Sequence, residues 1–374
     1  MRAPIRLLVW SSIPTHHQSG FLTALRRRHI DLVVHYYRHL DANRLSLGWA
    51  DPGKLPPGER YVPESLRAVA CCPDWRDRIH IVPGYGCLFL MRLAWFLSGK
   101  GIPWLHWSEH SRPSRRSNVT FAVKRIYGQL VRRHALGALA IGELARQEFI
   151  RWGIPGERIR FLPYAVDSIE VPDTPDEEPA VSARFLFLGT LYPTKGVDVL
   201  LRAMRELLGA HPQARLELVG NDLSGGNYER DAERLEISHA VQFSTAVESR
   251  RVGSVLKRCD VLLLPSRHDG WGVVLNEAAS AGRAIIASEA CGAAHHLVRP
   301  GINGFRVPPG DAAALAQAMS AYCLEPGLAV RHGNESLRIF EEFTPERNAE
   351  RFELALHSLQ ELAHGRPGLR RCGP

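Results

Sequence analysis

The chain has 374 residues, 45% of them apolar, which is more than one hydrophobic core usually serves, so two globular α/β domains are expected. Its net charge of +8 is unevenly placed: residues 1–165 hold 25 Lys/Arg against 11 Asp/Glu, or +14, leaving −6 for the remainder. That asymmetry points the first half toward an anionic partner, a membrane surface, a lipid pyrophosphate or a nucleic acid, or else marks a plain solvated basic face.

The seven cysteines, Cys71, Cys72, Cys87, Cys259, Cys291, Cys323 and Cys372, show neither zinc spacing nor a disulfide framework. The apolar stretch after Met1 is too short for a signal peptide, and the longest apolar segment, Cys87 to Leu97, is interrupted by Arg92 and too short to span a bilayer. A cytoplasmic location, with the possibility of peripheral attachment to the inner face of the membrane, is the expectation.

In chain order, Ile5 to Trp10 reads as a buried strand, Ser19 to Arg28 as a helix and Asp31 to Tyr37 as a second strand, the opening of a doubly wound domain. Ser19 and Gly20 are placed to start that helix, and His16 and His17 before it are either ligand contacts or ordinary loop histidines. Residues 38–78 are rich in turn formers. Ile79 to Val82 resumes strand character, a turn containing Tyr85 comes next, and an apolar helix follows. Trp104 to Trp107 is the next strand, with the polar cluster Ser108, Glu109, His110 at its carboxyl end.

Arginines 112, 115, 116, 125, 132 and 133 with Lys124 crowd the helical stretch Asn118 to His134, interleaved with Phe121, Ile126, Tyr127 and Leu130. The apolar side is core; the surplus cations suit a membrane or pyrophosphate surface. Ala138 to Ile141, Glu143 to Trp152 and Arg158 to Pro163 complete a first domain over residues 1–166. The acidic, proline-rich residues 167–183 read as a linker.

A second domain over 184–344 begins with strand Phe185 to Leu188, the loop Gly189-T-L-Y-P-T and a helix from Lys195. A lysine at a helix start opposes the helix dipole, and an anionic ligand would explain it. Further strands are expected at Leu216 to Val219, Val241 to Phe243, Val261 to Leu264, Ala284 to Ala287 and Phe305 to Val307. Asp311 caps a helix, a last helix lies within about 345–364, and 365–374 is expected to be a disordered tail.

The stretch Pro265-S-R-H-D-G-W-G-V-V-L-N-E-A-A-S-A-G leaves the strand at Leu264, turns at Gly270 and Gly272, and becomes helical. Glycines there admit close backbone approach, a helix N-terminus favours a phosphate, and Asp269 and Glu277 suit sugar or ribose hydroxyls. Spacing alone equally allows a solvated turn with a helix-surface glutamate.

Asp269-x7-Glu277 in this strand-loop-helix resembles the Glu-x7-Glu motif of retaining glycosyltransferases of the GT-B fold, glycosyltransferase family 4. The resemblance continues through Leu188 to Asp198, Arg283 to Gly292 and Pro300 to Asp311, covering roughly residues 135–325. It implies two Rossmann-like doubly wound domains facing a cleft, the last helix rejoining the first domain, and a donor such as a UDP- or GDP-sugar. It implies further that the sugar passes to a glycan or lipid-linked acceptor with retention and without a metal or other cofactor. Gly189, Thr190, Lys195, Gly270, Trp271, Gly272, Val273, Val274 and Glu277 would hold the donor, Asp269 the sugar, and Glu109 or His110 would approach the transferred sugar; His16, His17 and Tyr85 would meet the acceptor. The family places an Arg where this chain has Thr190. Nucleic acid is not an expected partner, and a non-catalytic sugar-nucleotide module or another GT-B enzyme such as an epimerase is the alternative.

Overall fold

A computed structural model describes residues 4–40, 53–84, 86–112, 117–171, 183–325 and 327–363. They form two compact units. The first takes the described residues up to Ala165 together with Pro345–Ala363, and the second runs from Val166 to Thr344.

In the first unit seven strands form one parallel sheet: β1 (Arg6–Ser11), β2 (Asp31–Tyr36), β3 (Glu59–Tyr61), β4 (Ile79–Val82), β5 (Trp104–Ser108), β6 (Gly137–Ala140) and β7 (Ile159–Phe161), in the order β3-β2-β1-β4-β5-β6-β7. Val9 pairs with Val34 on one side and Ile81 on the other, so β1 is covered on both edges and both faces, which is why it is a nearly unbroken apolar run. Its helices are α1 (His16–Arg27), α2 (Leu88–Gly99), α3 (Ser117–His134) and α4 (Glu143–Arg151). Leu93, Leu97, Tyr127, Leu130, Phe149 and Trp152 from α2 to α4 and the turn after them share a core with Trp10 and Trp104 of the sheet.

The second unit is a six-stranded parallel sheet of β8 (Arg184–Leu188), β9 (Arg215–Val219), β10 (Val241–Ser244), β11 (Val261–Leu264), β12 (Ala284–Ser288) and β13 (Gly304–Val307), ordered β10-β9-β8-β11-β12-β13. Its helices are α5 (Val197–Ala210), α6 (Asn227–Arg234), α7 (Val252–Lys257), α8 (Val274–Ser280), α9 (Ala294–Leu297), α10 (Ala312–Leu324) and α11 (Leu328–Phe340). All four residues of β11 are buried. The Asp311 carboxylate accepts the Ala314 N–H at 2.9 Å, capping α10.

A last helix, α12 (Pro345–Ala363), belongs to the first unit. It packs along α1, where Phe21 meets Phe352 with ring centroids 6.4 Å apart and the Arg28 guanidinium holds Glu353 at 2.5 Å. Asn348 donates to the carbonyl of Pro163 at 2.8 Å, and Arg160 donates to the Ser358 hydroxyl at 2.6 Å.

Several elements begin elsewhere than their patterns suggest. α1 starts at His16, with Thr15 as the extended residue before it, so Ser19 and Gly20 lie inside the helix. Lys195 does not open α5: it ends a 3-10 turn (Pro193–Lys195), and Gly196 follows at φ +73° as the residue before the helix. A Cβ at Gly196 would stand 2.2 Å from the Pro265 carbonyl oxygen, so glycine is required twice over, for its left-handed backbone and for that approach.

Three histidines, His35 on β2, His80 on β4 and His106 on β5, are fully buried. His80 Nδ1 accepts from the Trp10 indole at 3.2 Å, and its Nε2 donates to the Trp75 carbonyl at 2.9 Å. Neither ring nitrogen of His35 has a hydrogen-bond partner among the described residues. Burial pushes His35 down to about 4, with the Arg60 charge adding to it, and burial likewise takes His80 to about 4 and His106 to about 3. These rings stay neutral in the fold but protonate near about 6.5 once the chain unfolds, so unfolding takes up protons as the medium is acidified. Stability should therefore be lost progressively from about pH 6.5 toward pH 4. His35→Leu should shrink the loss of urea midpoint between about pH 7 and about pH 4.5 by roughly a third, and an unchanged slope would show that His35 does not titrate there.

Candidate functional site

In an open parallel sheet, ligands bind where neighbouring strands send their connections to opposite faces, at the carboxyl ends. In the second unit that point lies between β8 and β11, the strand pair at which the order reverses. The loop leaving β8 carries Gly189, Thr190 and Lys195, and the loop leaving β11 carries Arg267, Asp269, Gly270 and Gly272.

The two loops meet. Lys195 Nζ donates to Asp269 Oδ2 at 2.6 Å, both side chains being only partly exposed. Burial lowers the pKa of Lys195, but the Asp269 charge and hydrogen bond more than offset it and hold the ammonium protonated. A second tie reinforces the first: Arg267 grips both carboxylate oxygens of Asp198 at 2.6 and 2.7 Å, and its backbone N–H reaches the Thr194 carbonyl at 2.7 Å. Neither Arg267 nor Asp198 stands out in the sequence, where the arginine is one of several around a motif and the aspartate is an ordinary first-turn acid.

Backbone fixes the rest of the loop. The Asp269 N–H bonds to the Ala290 carbonyl at 3.1 Å, and the Gly292 N–H returns to the Asp269 carbonyl at 3.1 Å. A Cβ at Gly292 would lie 2.4 Å from the Gly270 carbonyl oxygen, so this glycine lets the stretch Cys291 to Ala293 close against the turn. Trp271, expected among the ligand contacts, is a floor residue instead: it is 1% exposed, its indole donates to Asn276 at 2.8 Å, and its ring stacks on His296 at 5.7 Å. Its size and apolar surface place it under the loop rather than on it.

α8 is only seven residues long. The N–H groups of Leu275, Asn276 and Glu277 bond back to the carbonyls of Gly272 and Val273, so an anion at this turn would meet the backbone of Gly272, Val273 and Val274. Glu277 is half-buried, the fourth residue of α8. Thr190 sits between two residues held by neighbouring backbone, Gly189 bonding to Val219 and Leu191 to Asn221, each at 2.9 Å.

In the first unit the corresponding reversal lies between β1 and β4. A small cavity of about 30 Å³ there, space for about one water, is walled in part by Trp10, Ser11, Gln18, Trp107 and Tyr164. His17 lies against Tyr164 with ring centroids 5.2 Å apart. The Tyr164 hydroxyl donates to Glu109, and burial together with that carboxylate raises its pKa well above the usual phenol range. So Glu109, His17 and Tyr164 are brought together, and Tyr164, which has no pattern in the sequence to announce it, is the residue that joins them. His110 is half-buried beside Glu109. Only the backbone of His16 is described, and Tyr85 lies outside the described residues, as do Arg115 and Arg116.

Lys124, expected on the basic outer surface, instead faces inward. It pairs with Glu148 at 2.7 Å, and Glu148 also accepts the Ser111 N–H at 2.7 Å and the Ser111 hydroxyl at 2.5 Å. A buried carboxylate needs a charged partner, and this lysine provides it. Among the described residues no three His, Cys, Asp or Glu side chains are grouped to hold a metal ion.

Residues 175–337 match the family model described as Glycosyl transferases group 1. A D-inositol 3-phosphate glycosyltransferase of Streptomyces griseus is 30% identical over 199 residues, 48% of this chain and 42% of that protein. A lipopolysaccharide core biosynthesis mannosyltransferase of Rhizobium leguminosarum is 30% identical over 177 residues, 46% of this chain and 49% of that protein. The matches thus span less than half the length of these curated relatives. The crystal structure of Anabaena HepE in complex with UDP superposes with a TM-score of 0.75 at 18% identity, covering 95% of this chain and 100% of that one. Sucrose-phosphate synthase from Thermosynechococcus elongatus gives 0.75 at 19% identity, with 96% and 100% covered. At such identities the likeness shows the fold, which is GT-B: two Rossmann-like units.

The Lys195 to Asp269 ion pair makes a competition: an anion that takes the lysine must displace the carboxylate. Asp269→Asn should therefore tighten inorganic pyrophosphate binding by roughly three- to ten-fold in calorimetric titration, the scale of one partly exposed ion pair. Equal or weaker binding would remove Lys195 from the anion site.

Proposed function

We propose that the chain transfers a sugar from a nucleoside-diphosphate sugar to a glycan or lipid-linked acceptor, in the synthesis of a bacterial polysaccharide or glycoconjugate. The observation that carries this reading is the pairing of Lys195 with Asp269 at the strand-order reversal of the unit that matches the group 1 transferases. A cation and an acid in direct contact suit a ligand with a diphosphate on one side and a hydroxyl-bearing ring on the other. When the donor enters, Lys195 exchanges its carboxylate for phosphate oxygens and Asp269 is released to accept hydrogen bonds from the sugar. Glu277, eight positions on, accepts from the ribose hydroxyls, and the backbone of Gly272 to Val274 faces the phosphates.

As the bond from the anomeric carbon to the phosphate oxygen breaks, negative charge gathers on the departing diphosphate, so Lys195 contributes most in the transition state. Positive charge supplied by the protein makes the reaction metal-independent in this reading, and the family resemblance makes it retaining. UDP-sugars are the first donors to test, because the similar HepE structures are described as complexes with UDP and with UDP-glucose. The first unit would receive the acceptor through Glu109, His17 and Tyr164, with Tyr164 setting the direction of the Glu109 carboxylate. A cytoplasmic protein attached peripherally to the membrane fits a lipid-linked acceptor; among the described residues no helix is long and apolar enough to cross a membrane.

Release of nucleoside diphosphate from a panel of UDP- and GDP-sugars tests the activity. Lys195→Ala should lower turnover by about 10²–10³-fold, at least as much as it weakens donor binding. Donor left intact by the unaltered protein across the panel, or turnover unchanged in the variant, would overturn the reading.

Thr190 supplies a second test. Arg267, the arginine nearest in the facing loop, is engaged by Asp198, so the cation that the family places at position 190 is missing here. Thr190→Arg should tighten nucleoside diphosphate binding by about 1.5 kcal/mol or more, the scale of a charged hydrogen bond. A change under about 0.3 kcal/mol would mean that position 190 does not face the phosphates.

A further inference from the structure

α2 and α3 pack beside one another and bury one side each in the core of the first unit. Their outer sides mix large apolar side chains with arginines. Along α2, Leu88, Arg92 and Trp95 stand at i, i+4 and i+7 on a single stripe, with Leu88 62% and Trp95 54% exposed. Along α3, Phe121 and Ile126 are 43% and 60% exposed, and Arg125, Arg132 and Arg133 are exposed on the same side. A tryptophan and three more large apolar side chains held in water are costly unless something covers them.

Charge identifies what covers them. Neither helix contains a carboxylate, and from Arg78 to Gly142 the sequence has ten Lys/Arg and one acid, Glu109, which is bonded to Tyr164. Exposed apolar residues on two other helices sit differently: Leu354 and Leu362 on α12 lie among Glu350, Glu353 and Glu361, and Val330 and Leu337 on α11 lie near Glu335. Apolar side chains that enter hydrocarbon, an indole suited to the boundary, and arginines whose stems reach up to phosphate belong to an anionic lipid interface.

We infer that the paired outer faces of α2 and α3 are the surface by which the protein docks on an anionic phospholipid bilayer, Trp95, Leu88 and Ile126 entering the interface and Arg92, Arg125 and Arg133 meeting the lipid phosphates. This deepens the reading of a lipid-linked acceptor and rests on it for purpose alone, since docking requires no sugar transfer.

The full chain is sedimented with phosphatidylcholine vesicles, with and without about 30% phosphatidylglycerol, whose negative surface attracts basic residues. Binding should be roughly ten-fold or more tighter to the anionic vesicles, and Arg125→Glu with Arg133→Glu should lose nearly all of that preference. Trp95→Ser with Ile126→Ser should weaken binding at least roughly five-fold and leave the remainder removable by high salt. Arg230→Glu with Arg234→Glu, on α6 of the second unit, should change neither. All six positions are exposed, and unchanged melting curves show that the variants are folded.

Absence of binding, equal binding to neutral vesicles, or indifference to the α2 and α3 substitutions overturns the proposal. So does a dimer in light scattering that Trp95→Ser dissociates, because a second copy would then be the cover. Donor cleavage with a water-soluble acceptor should be unaffected by these variants; its absence in the unaltered protein would sink the transferase reading and leave the docking result standing.

Discussion

β8 and β11 are neighbours in the second sheet although 72 residues separate their ends, and everything proposed for the site depends on that adjacency. Because successive connections run to opposite sides of the sheet, the space above this strand pair is left uncovered by helix backbone. Two loops with different sequence neighbourhoods are thereby forced to share it. One carries a lysine and the other an aspartate, and in the absence of ligand each is the other's solvent. The second clamp, Arg267 on Asp198, ties the same two loops together at another point.

Much of this was readable beforehand because the elements involved are buried on both faces. Strands such as Val261 to Leu264 and Ala284 to Ala287 are continuous apolar runs, and the structure extends the second of them by only one residue. Helices with a clear apolar stripe were equally legible. β3 was not, since three residues at a sheet edge, with none of them fully buried, leave no period to detect. The sequence places the start of α1 too late because Ser and Gly are good helix-start residues in general, whereas the extended residue before the helix is Thr15.

Side-chain partnerships were the least visible. Lys195 and Asp269 each stand out in the sequence, but as separate ligand contacts; that they bind each other depends on loops 74 positions apart meeting above the sheet. Lys124 looked like one more surface cation in a basic stretch, and only the fold shows Glu148 beneath it. Tyr164 follows a proline in a stretch without periodicity, and its hold on Glu109 is a tertiary fact. Sequence patterns report which face of an element is covered, whereas a polar pair within a loop cluster has no such signature.

The return of α12 to the first unit has a consequence for synthesis. The described part of the second unit runs from Val166 to Thr344, so its core can close once Thr344 has left the ribosome. The first unit has all seven strands in place much earlier, yet the side of α1 that carries Phe21, and the backbone at Gly137 against which Leu359 lies, stay uncovered until the final helix arrives. The half of the chain made first is therefore the half completed last. During that interval an apolar strip on the basic first unit is left open, and it is the nineteen residues of α12 that close it.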